Sequence, residues 1–388
     1  MKVAIASSGL GHITRGIETW ACDTAKALQQ HGIETTLFAA APLPTSSVPT
    51  ITLPCRKRND RATRLITRLA PKWSWRWHLK SNYEIEQVSF WHYLEKHLRT
   101  EHFDILHVQD PLLAQLAQQS FAQKRIACRC ILAHGTEEPP TYLRQFPYLQ
   151  HLAPWHMQQT LQALGENAPQ TVYPDWVMLP NFVDIDTFRP IASREVQAAL
   201  RAAFQLPPEA TIWGTAAAIK KHHKRIDWLL EEFCKAATQR SDLHLVIAGS
   251  KQTDTHALIQ QAQERCPARV TFLVDLPHTK MADLFRTLDA FVLTSLFEMM
   301  PIALLEAIST GLPAYTHDHP VLDWMTGPGG TQIPMHTPNA LRDVMIQSER
   351  AQLQRMGQNA REHAVNTFSI EAVIPAYIAY YRKISKVE

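Results

Sequence analysis

The sequence predicts an α/β protein of two doubly wound, Rossmann-like domains facing a central cleft. Three observations lead there. Short apolar runs of strand length alternate with longer runs of helical spacing, the order of a parallel sheet with helices on both faces. The alternation breaks in a proline-rich stretch, at Pro180, Pro190, Pro207 and Pro208, and then starts again. The chain has 388 residues, and at about 150 residues per domain this length holds two or three domains. The division expected is an N-terminal domain over 1–183, a C-terminal domain over 184–368, and a last helix over 369–388.

The elements follow in order. Val3–Ala6 is an apolar strand, and a loop with Gly9, Gly11 and Gly16 leads into a helix over Ile17–Gln30 that stops at Gly32. Glu34–Ala40, Ile105–Val108, Cys130–Ala133 and Val177–Leu179 are the further strands of the first half. After the break, strands are expected at Ile212–Thr215, Leu243–Ala248, Val270–Val274 and Ala290–Thr294. Helices are expected at Arg225–Ala237, His256–Arg265, Lys280–Leu288 and Leu304–Ser309. In such sheets ligands bind beyond the carboxyl ends of the strands.

Composition excludes several classes. The apolar fraction of 45% is that of a globular chain with a sizeable core, not of a disordered one. No apolar run is long enough to span a membrane. The first residues already read as a core strand, so no secretory leader is expected. Six cysteines make no disulfide framework, and Cys128 and Cys130 form no CxxC half-site for zinc. A reducing, cytoplasmic location is the expectation. Net charge is +3, which argues against a tail-driven nucleic-acid binder. That small number hides an asymmetry. Residues 56–80 carry nine Lys or Arg against Asp60 alone, leaving the remainder at −5.

Four stretches could carry chemistry. In Glu298-Met299-Met300-Pro301-Ile302-Ala303-Leu304-Leu305-Glu306 two carboxylates stand eight apart. The first falls in a strand-end loop and the second in the helix that begins near Pro301, a proline position that suits a first turn. Carboxylates accept from sugar and ribose hydroxyls, and the N–H groups of the helix start face an anion. In Lys220-Lys221-His222-His223-Lys224-Arg225 a basic cluster occupies a strand-to-helix turn, where it can neutralise a diphosphate. In Ser7–Gly16 glycines let backbone approach a ligand, but the GxGx4G spacing is not the dinucleotide pattern. His134-Gly135-Thr136 places a histidine at a strand's carboxyl end. Each also has a plain structural reading as a cap, a solvated loop or a core histidine.

Taken together, these pieces resemble glycosyltransferase family 4 of the GT-B fold. The Glu298–Glu306 stretch is similar to that family's E-x7-E motif, with Gly311-Leu312-Pro313 as its tail. The 181–190 segment, Asn181-Phe182-Val183-Asp184 through Phe188-Arg189-Pro190, is similar to its inter-domain segment, with Phe182 where glycine is usual. Lys224-Arg225-Ile226-Asp227 resembles its strand-to-helix turn, and Arg15-Gly16-Ile17-Glu18 its first helix start. The resemblance runs in order along almost the whole chain, and it implies that the last helix, 369–388, crosses back to the first domain.

It implies a retaining transferase that moves a sugar from a nucleotide-diphosphate donor to a glycan, lipid-linked or small-molecule acceptor, without metal or other cofactor. It implies that Glu298 binds donor-sugar hydroxyls, Glu306 the ribose, and Lys224 the leaving diphosphate. His134 would touch the transferred sugar. Gly9, Gly11, Lys220, Arg225, Met299 and Met300 would complete the donor site. His12, Arg15, Arg61 and Trp73 fall on the acceptor side. Two departures stand out. The strand-end arginine usual in the family is absent after Gly214, leaving Lys220, Lys221 or Arg225 to replace it, and the usual Glu-Gly-Phe-Gly is Glu298-Met299-Met300-Pro301, with both glycines lost.

Alternatives remain open. His12 in Gly9-Leu10-Gly11-His12 resembles the base of inverting relatives, and an epimerase or a non-catalytic sugar-nucleotide-binding subunit would use the same fold. Asp184-Ile185-Asp186 matches a metal-binding triplet but lies in the inter-domain segment, so no metal is assigned. The basic 56–80 segment, with Arg61, Arg64, Arg68, Lys72, Arg76 and Lys80 at helical steps and Trp73, Trp75 and Trp77 among them, suits an anionic membrane surface or acceptor rather than nucleic acid. Pro71 divides it into two helices. The location that follows is cytoplasmic, peripheral on the inner membrane face if that segment binds lipid.

Overall fold

A computed structural model describes residues 1–13, 15–43, 47–70, 81–165, 173 and 175–385. Two compact units divide the chain. The first comprises Met1–Pro180 with Ile374–Glu388, the second Asn181–Val373.

The first unit runs β1 (Lys2–Ser7), α1 (Gly16–Gln30), β2 (Glu34–Ala39), β3 (Thr50–Thr52), α2 (Arg61–Leu69), α3 (Asn82–Thr100), β4 (Ile105–Val108), α4 (Pro111–Ala122), β5 (Arg129–His134), α5 (Pro140–Leu143), β6 (Leu149–His151), α6 (Pro154–Ala163) and β7 (Trp176–Met178). Its sheet has the order β3-β2-β1-β4-β5-β6-β7, with parallel pairing such as Val3 beside Ile105 and Thr35. Parallel strands need helical crossovers and are covered on both faces. That is why Val3, Ala4, Ile5 and Ala6 read as an unbroken apolar run and are all fully buried. β3 and β6, at three residues each, are too short to show a period in the sequence. α3 begins with a capping box in which Ser81 and Glu84 exchange side-chain-to-backbone bonds, satisfying two orphan N–H groups.

The second unit runs α7 (Arg194–Ala203), β8 (Thr211–Ala216), α8 (Ile226–Gln239), β9 (Leu243–Gly249), α9 (Thr255–Arg265), β10 (Val270–Val274), α10 (Met281–Phe285), β11 (Ala290–Leu293), α11 (Ile302–Ser309), β12 (Ala314–His317), α12 (Pro320–Thr326), β13 (Gly330–Ile333), α13 (Ala340–Gln347) and α14 (Arg350–Phe368). Its sheet order is β10-β9-β8-β11-β12-β13. The helix expected over 280–288 is shorter, a 3-10 turn at His278–Lys280 running into α10. β12 and β13 extend the sheet beyond the strands expected from the sequence. The cysteine count, which promised no disulfide framework, nonetheless includes one disulfide. Cys234 on α8 and Cys266 just after α9 are joined with Cα atoms 5.5 Å apart. They stand 32 residues apart, and only the packing of the two helices brings them together.

α15 (Ile370–Ser385) closes the chain. From Ile374 onward it belongs to the first unit. The Tyr377 hydroxyl donates to the Pro180 carbonyl at 3.0 Å and accepts from Gln150 at 2.6 Å. The Tyr381 hydroxyl lies 2.6 Å from His107 Nδ1. Arg129 donates to the Ile384 carbonyl at 2.7 Å. Both tyrosines are fully buried, so their polar tips need these partners.

Burial pushes His107 and His134 each down to about 3 and His244 down to about 4. Unfolded, these rings would titrate near 6.5. Between the folded and unfolded values the unfolded chain binds more protons. Their contribution to stability is therefore complete above about pH 6.5 and is lost as pH falls toward the folded values. Urea midpoints should drop between pH 7.5 and 5. His107→Gln should lower the midpoint at pH 7.5 yet flatten the drop; an unchanged pH slope in that variant would refute the account.

Candidate active site

In a doubly wound sheet the strand order reverses at one point, and the loops leaving the two strands there diverge to open a crevice. In the second unit that point lies between β8 and β11. The loop after β8 carries Lys224, and the loop after β11 carries Glu298. Their side chains form an ion pair. Glu298 retains 9% side-chain exposure and Lys224 18%, so the pair sits largely out of water while the ammonium still reaches it. Thr294, one residue past β11, donates to the Lys224 carbonyl at 2.8 Å and ties the two loops together. The turn is sharp. His223 and Arg225 both adopt left-handed φ, +70° and +51°, which costs a non-glycine residue of order 1 kcal/mol or more and persists only where the surroundings enforce it.

The other donor-side residues divide. Glu306 on α11 is buried, at 4% exposed. Its Oε1 accepts from His278 Nε2 at 2.6 Å. Burial raises its pKa, and the hydrogen bond and charge of His278 partly oppose this. His278 follows β10. No sequence motif marks it, and only folding brings it to Glu306. Arg225 is engaged elsewhere. It donates to the Met335 carbonyl at 2.6 Å and stacks 4.7 Å over Trp228. Lys220 lies half-buried at the same turn. Met300 is buried, and its sulfur and carbonyl both accept from Asn181; Met299 beside it is half-buried. After β8, the Ala217 carbonyl crowds Gly249, where a Cβ would fall 1.7 Å from its oxygen. The backbone at the missing-arginine position is therefore packed against β9.

In the first unit the reversal lies between β1 and β4. Ser8 N–H, just after β1, donates to Asp110, two residues after β4, at 2.8 Å. Asp110 is fully buried, which raises its pKa against the bonds from Tyr83 and Ser8. His12 Nε2 lies 2.8 Å from Glu86, and Arg58 binds the same carboxylate through its backbone at 2.7 Å and its Nε at 2.9 Å. Burial alone would raise Glu86, but His12 and Arg58 together hold it below the usual range. Arg15 pairs with buried Glu18 at 2.8 Å. The two glycines answer to this packing: a Cβ on Gly9 would lie 2.1 Å from Glu18, and one on Gly11, where φ is +91°, would lie 2.4 Å from the Ala41 carbonyl. His134 ends β5, and its Nδ1 lies 3.3 Å from His151 Nδ1. With His156 against the same ring, burial first and the neighbouring His156 second keep His134 neutral. Its Nε2 has no partner among the described residues.

Other residues singled out in the sequence lie apart. Arg61 opens α2 on the surface. Trp73, with Trp75, Trp77, Lys72, Arg76, Lys80 and Pro71, lies outside the described residues. Asp184 accepts from the N–H groups of Asp186 and Thr187 and from the Thr187 hydroxyl, so the Asp-Ile-Asp triplet closes its own turn. Among the described residues no group of three or more His, Cys, Asp or Glu is arranged to hold a metal ion.

Comparison with known proteins bears on family and fold. Residues 14–174 match the family model described as Glycosyltransferase Family 4, and residues 197–363 that described as Glycosyl transferases group 1. D-inositol 3-phosphate glycosyltransferase of Mycobacterium tuberculosis is 30% identical over 217 residues, which cover 52% of this chain and 42% of that relative. The match thus spans less than half of the relative's length. Among solved structures, sucrose-phosphate synthase of Thermosynechococcus elongatus superposes with a TM-score of 0.77 at 16% identity, over 99% of this chain and 98% of that one. Anabaena HepE in complex with UDP and glucose gives 0.73 at 13% identity, over 99% and 100%. The catalytic domain of Arabidopsis thaliana starch synthase IV, bound to ADP and acarbose, gives 0.73 at 13%, over 100% and 99%. At such identities the superpositions establish a shared GT-B fold.

Removing one partner of a buried pair leaves the other charge uncompensated. Lys224→Ala should destabilise the second unit by roughly 3 kcal/mol. Lys224→Met combined with Glu298→Gln should recover much of that loss in urea titrations. Equal losses in the single and double variants would show that the pair carries no coupling.

Proposed function

The chain belongs to the family 4 and group 1 glycosyltransferases of GT-B fold, and from that premise we propose that it is a retaining glycosyltransferase using a nucleotide-diphosphate sugar. The observation that carries the reading is the Lys224–Glu298 pair at the strand-order reversal of the second sheet. When the bond from the anomeric carbon to the diphosphate breaks, negative charge grows on the leaving phosphate. A cation fixed beforehand in a poorly hydrated site stabilises that charge without reorganising. Lys224 is placed for this. Its transfer from Glu298 to phosphate would free the carboxylate for donor-sugar hydroxyls.

Glu306, oriented by His278, is the acceptor we assign to the ribose hydroxyls. Lys220 stands beside Lys224 as a second phosphate cation, and the backbone at Met299 and Met300 completes the donor loop. Neutral His134 is assigned to the transferred sugar. A neutral ring can donate or accept without titrating in the working range. The sugar-nucleotide class is supported by the UDP and ADP held by the structural relatives. No metal or other cofactor is assigned a step. Gly9, Gly11, His12, Arg15 and Arg61 are assigned to the first unit's share of donor and acceptor binding. The acceptor is a carbohydrate, lipid-linked or small-molecule hydroxyl.

One observation favours an inverting reading. His12 is held by Glu86, and its buried Nδ1 has no partner among the described residues, the arrangement of a hydroxyl base. Against it, Arg58 already binds Glu86 through its backbone and its side chain, so that carboxylate is shared and not dedicated to His12.

Turnover should appear with one of a panel of UDP-, GDP- and ADP-sugars, and NMR of the product should show the donor's anomeric configuration retained. Inversion would transfer the mechanism to His12. Glu306→Ala should weaken donor binding at least tenfold by calorimetry, about 1.4 kcal/mol; unchanged affinity would sink the ribose role. His134→Ala should lower kcat with the circular dichroism spectrum intact.

A further inference from the structure

His151 belongs to none of the motifs above, yet it meets His134 at the nitrogen that decides what His134 can do. The contact follows from strand register. β5 and β6 pair in parallel with His134 opposite His151. Residues opposite each other on paired strands point to one face of the sheet, and these two stand at the carboxyl ends of their strands. β7 continues the row, with Met178 opposite His151 and Trp176 two residues earlier on the same face. The Trp176 ring lies 5.4 Å from that of His151. The His156 ring, in the first turn of α6, lies 6.0 Å from that of His134. Ring neighbours therefore flank the pair on both sides.

Both imidazoles are neutral. Burial comes first for each, followed by His156 beside His134, and by His134 and His156 beside His151. A neutral imidazole carries one hydrogen, on Nδ1 or on Nε2, and its other nitrogen presents a lone pair. The two Nδ1 atoms are 3.3 Å apart. One hydrogen fits between them, because two would collide and none would set lone pair against lone pair. The tautomers are thus locked in opposite senses. In one arrangement His151 donates from Nδ1 and His134 carries its hydrogen on Nε2. In the other His134 donates from Nδ1 and His151 carries its own on Nε2.

The two Nε2 atoms choose between these. Neither has a partner among the described residues. His151 is fully buried beside Trp176, whereas His134 keeps 6% exposure at the carboxyl end of β5, the edge at which ligands bind. A hydrogen on His151 Nε2 would be an orphan donor inside the core, which native proteins rarely hold. A hydrogen on His134 Nε2 can be answered by a ligand oxygen.

We propose that His151 is a positioning residue which, by donating from Nδ1, fixes His134 in the tautomer that offers Nε2–H to a hydroxyl oxygen of the transferred sugar. The proposal rests on the assignment of His134 to that sugar and narrows it. With the Nδ1 lone pair occupied and Nε2 protonated, His134 has no lone pair left to take a proton from an acceptor hydroxyl. The ring therefore orients the sugar as a donor and is not a base.

Nitrogen NMR of the full chain with isotope-labelled histidine reads the tautomer without any turnover. Couplings from the ring C–H protons show which nitrogen is protonated, and the spin system lost in His134→Gln identifies His134. At neutral pH His134 should be protonated on Nε2. Protonation on Nδ1, or exchange between the two forms, would overturn the proposal. His151→Phe keeps a ring and removes the hydrogen. In that variant His134 should lose its single tautomer, and kcat should fall about tenfold, with the donor KM changed by less than about twofold. His151→Asn, whose amide nitrogen can donate from the place of Nδ1, should restore both the tautomer and kcat. Equal losses of kcat in the Phe and Asn variants would mean that His151 only packs, and unchanged kcat in the Phe variant would remove it from the reaction; either result overturns the proposal. If the Phe variant does not fold, the parent spectrum and the Asn variant still decide. Absence of turnover with every donor would overturn the transfer reading instead and leave the tautomer measurable.

Discussion

A carboxylate removed from water must be neutralised or hydrogen-bonded, because leaving it bare costs several kcal/mol. Both units are organised around this requirement. Glu298 has Lys224, Glu306 has His278, Glu86 has Arg58 and His12, Glu18 has Arg15, and Asp110 has Ser8 and Tyr83. Most of these partners come from different elements. Such bonds hold a strand-end loop against a helix or a second loop.

The two units use their charges differently. In the first, Arg58 is committed to a fully buried carboxylate through several bonds, and Arg15 to Glu18. These are ties that fix the loop after β1. In the second, Lys224 pairs with one carboxylate and keeps access to water. A one-partner ammonium can be handed from carboxylate to phosphate, whereas a multiply bonded guanidinium cannot be without breaking the local fold. This contrast is the reason the proposed charge stabilisation is placed in the second unit. It also separates Arg225, anchored on Met335 and Trp228, from its sequence neighbour.

Histidines show the opposite strategy. His134, His151 and His156 cluster in the first unit through ring-to-ring contacts. Burial keeps His134 uncharged. A neutral, orientated donor or acceptor is useful beside a sugar because it neither competes for a diphosphate nor switches with pH. The same burial makes the fold acid-sensitive, so the polarity of the site and the pH range of stability have one cause.

The parallel, doubly wound architecture is legible in the order of residues, because fully buried strands such as Val3–Ala6 must be apolar on both faces and helices must separate them. So is the placing of carboxylates and cations at strand ends, since Glu298 and Lys224 lie next to strand and helix signals that periodicity reveals. His278 beside Glu306, the Cys234–Cys266 bond, and the commitment of Gly9 and Gly11 to Glu18 and Ala41 are not legible there. Short strands such as β3 and β6 carry too few residues for a period. The spacing of arginines marks α2 as a basic helix but not which side faces inward. Folding settles all of these. Partners tens of residues apart meet through packing, and whether a leucine is core or surface depends on the neighbour supplied to its face.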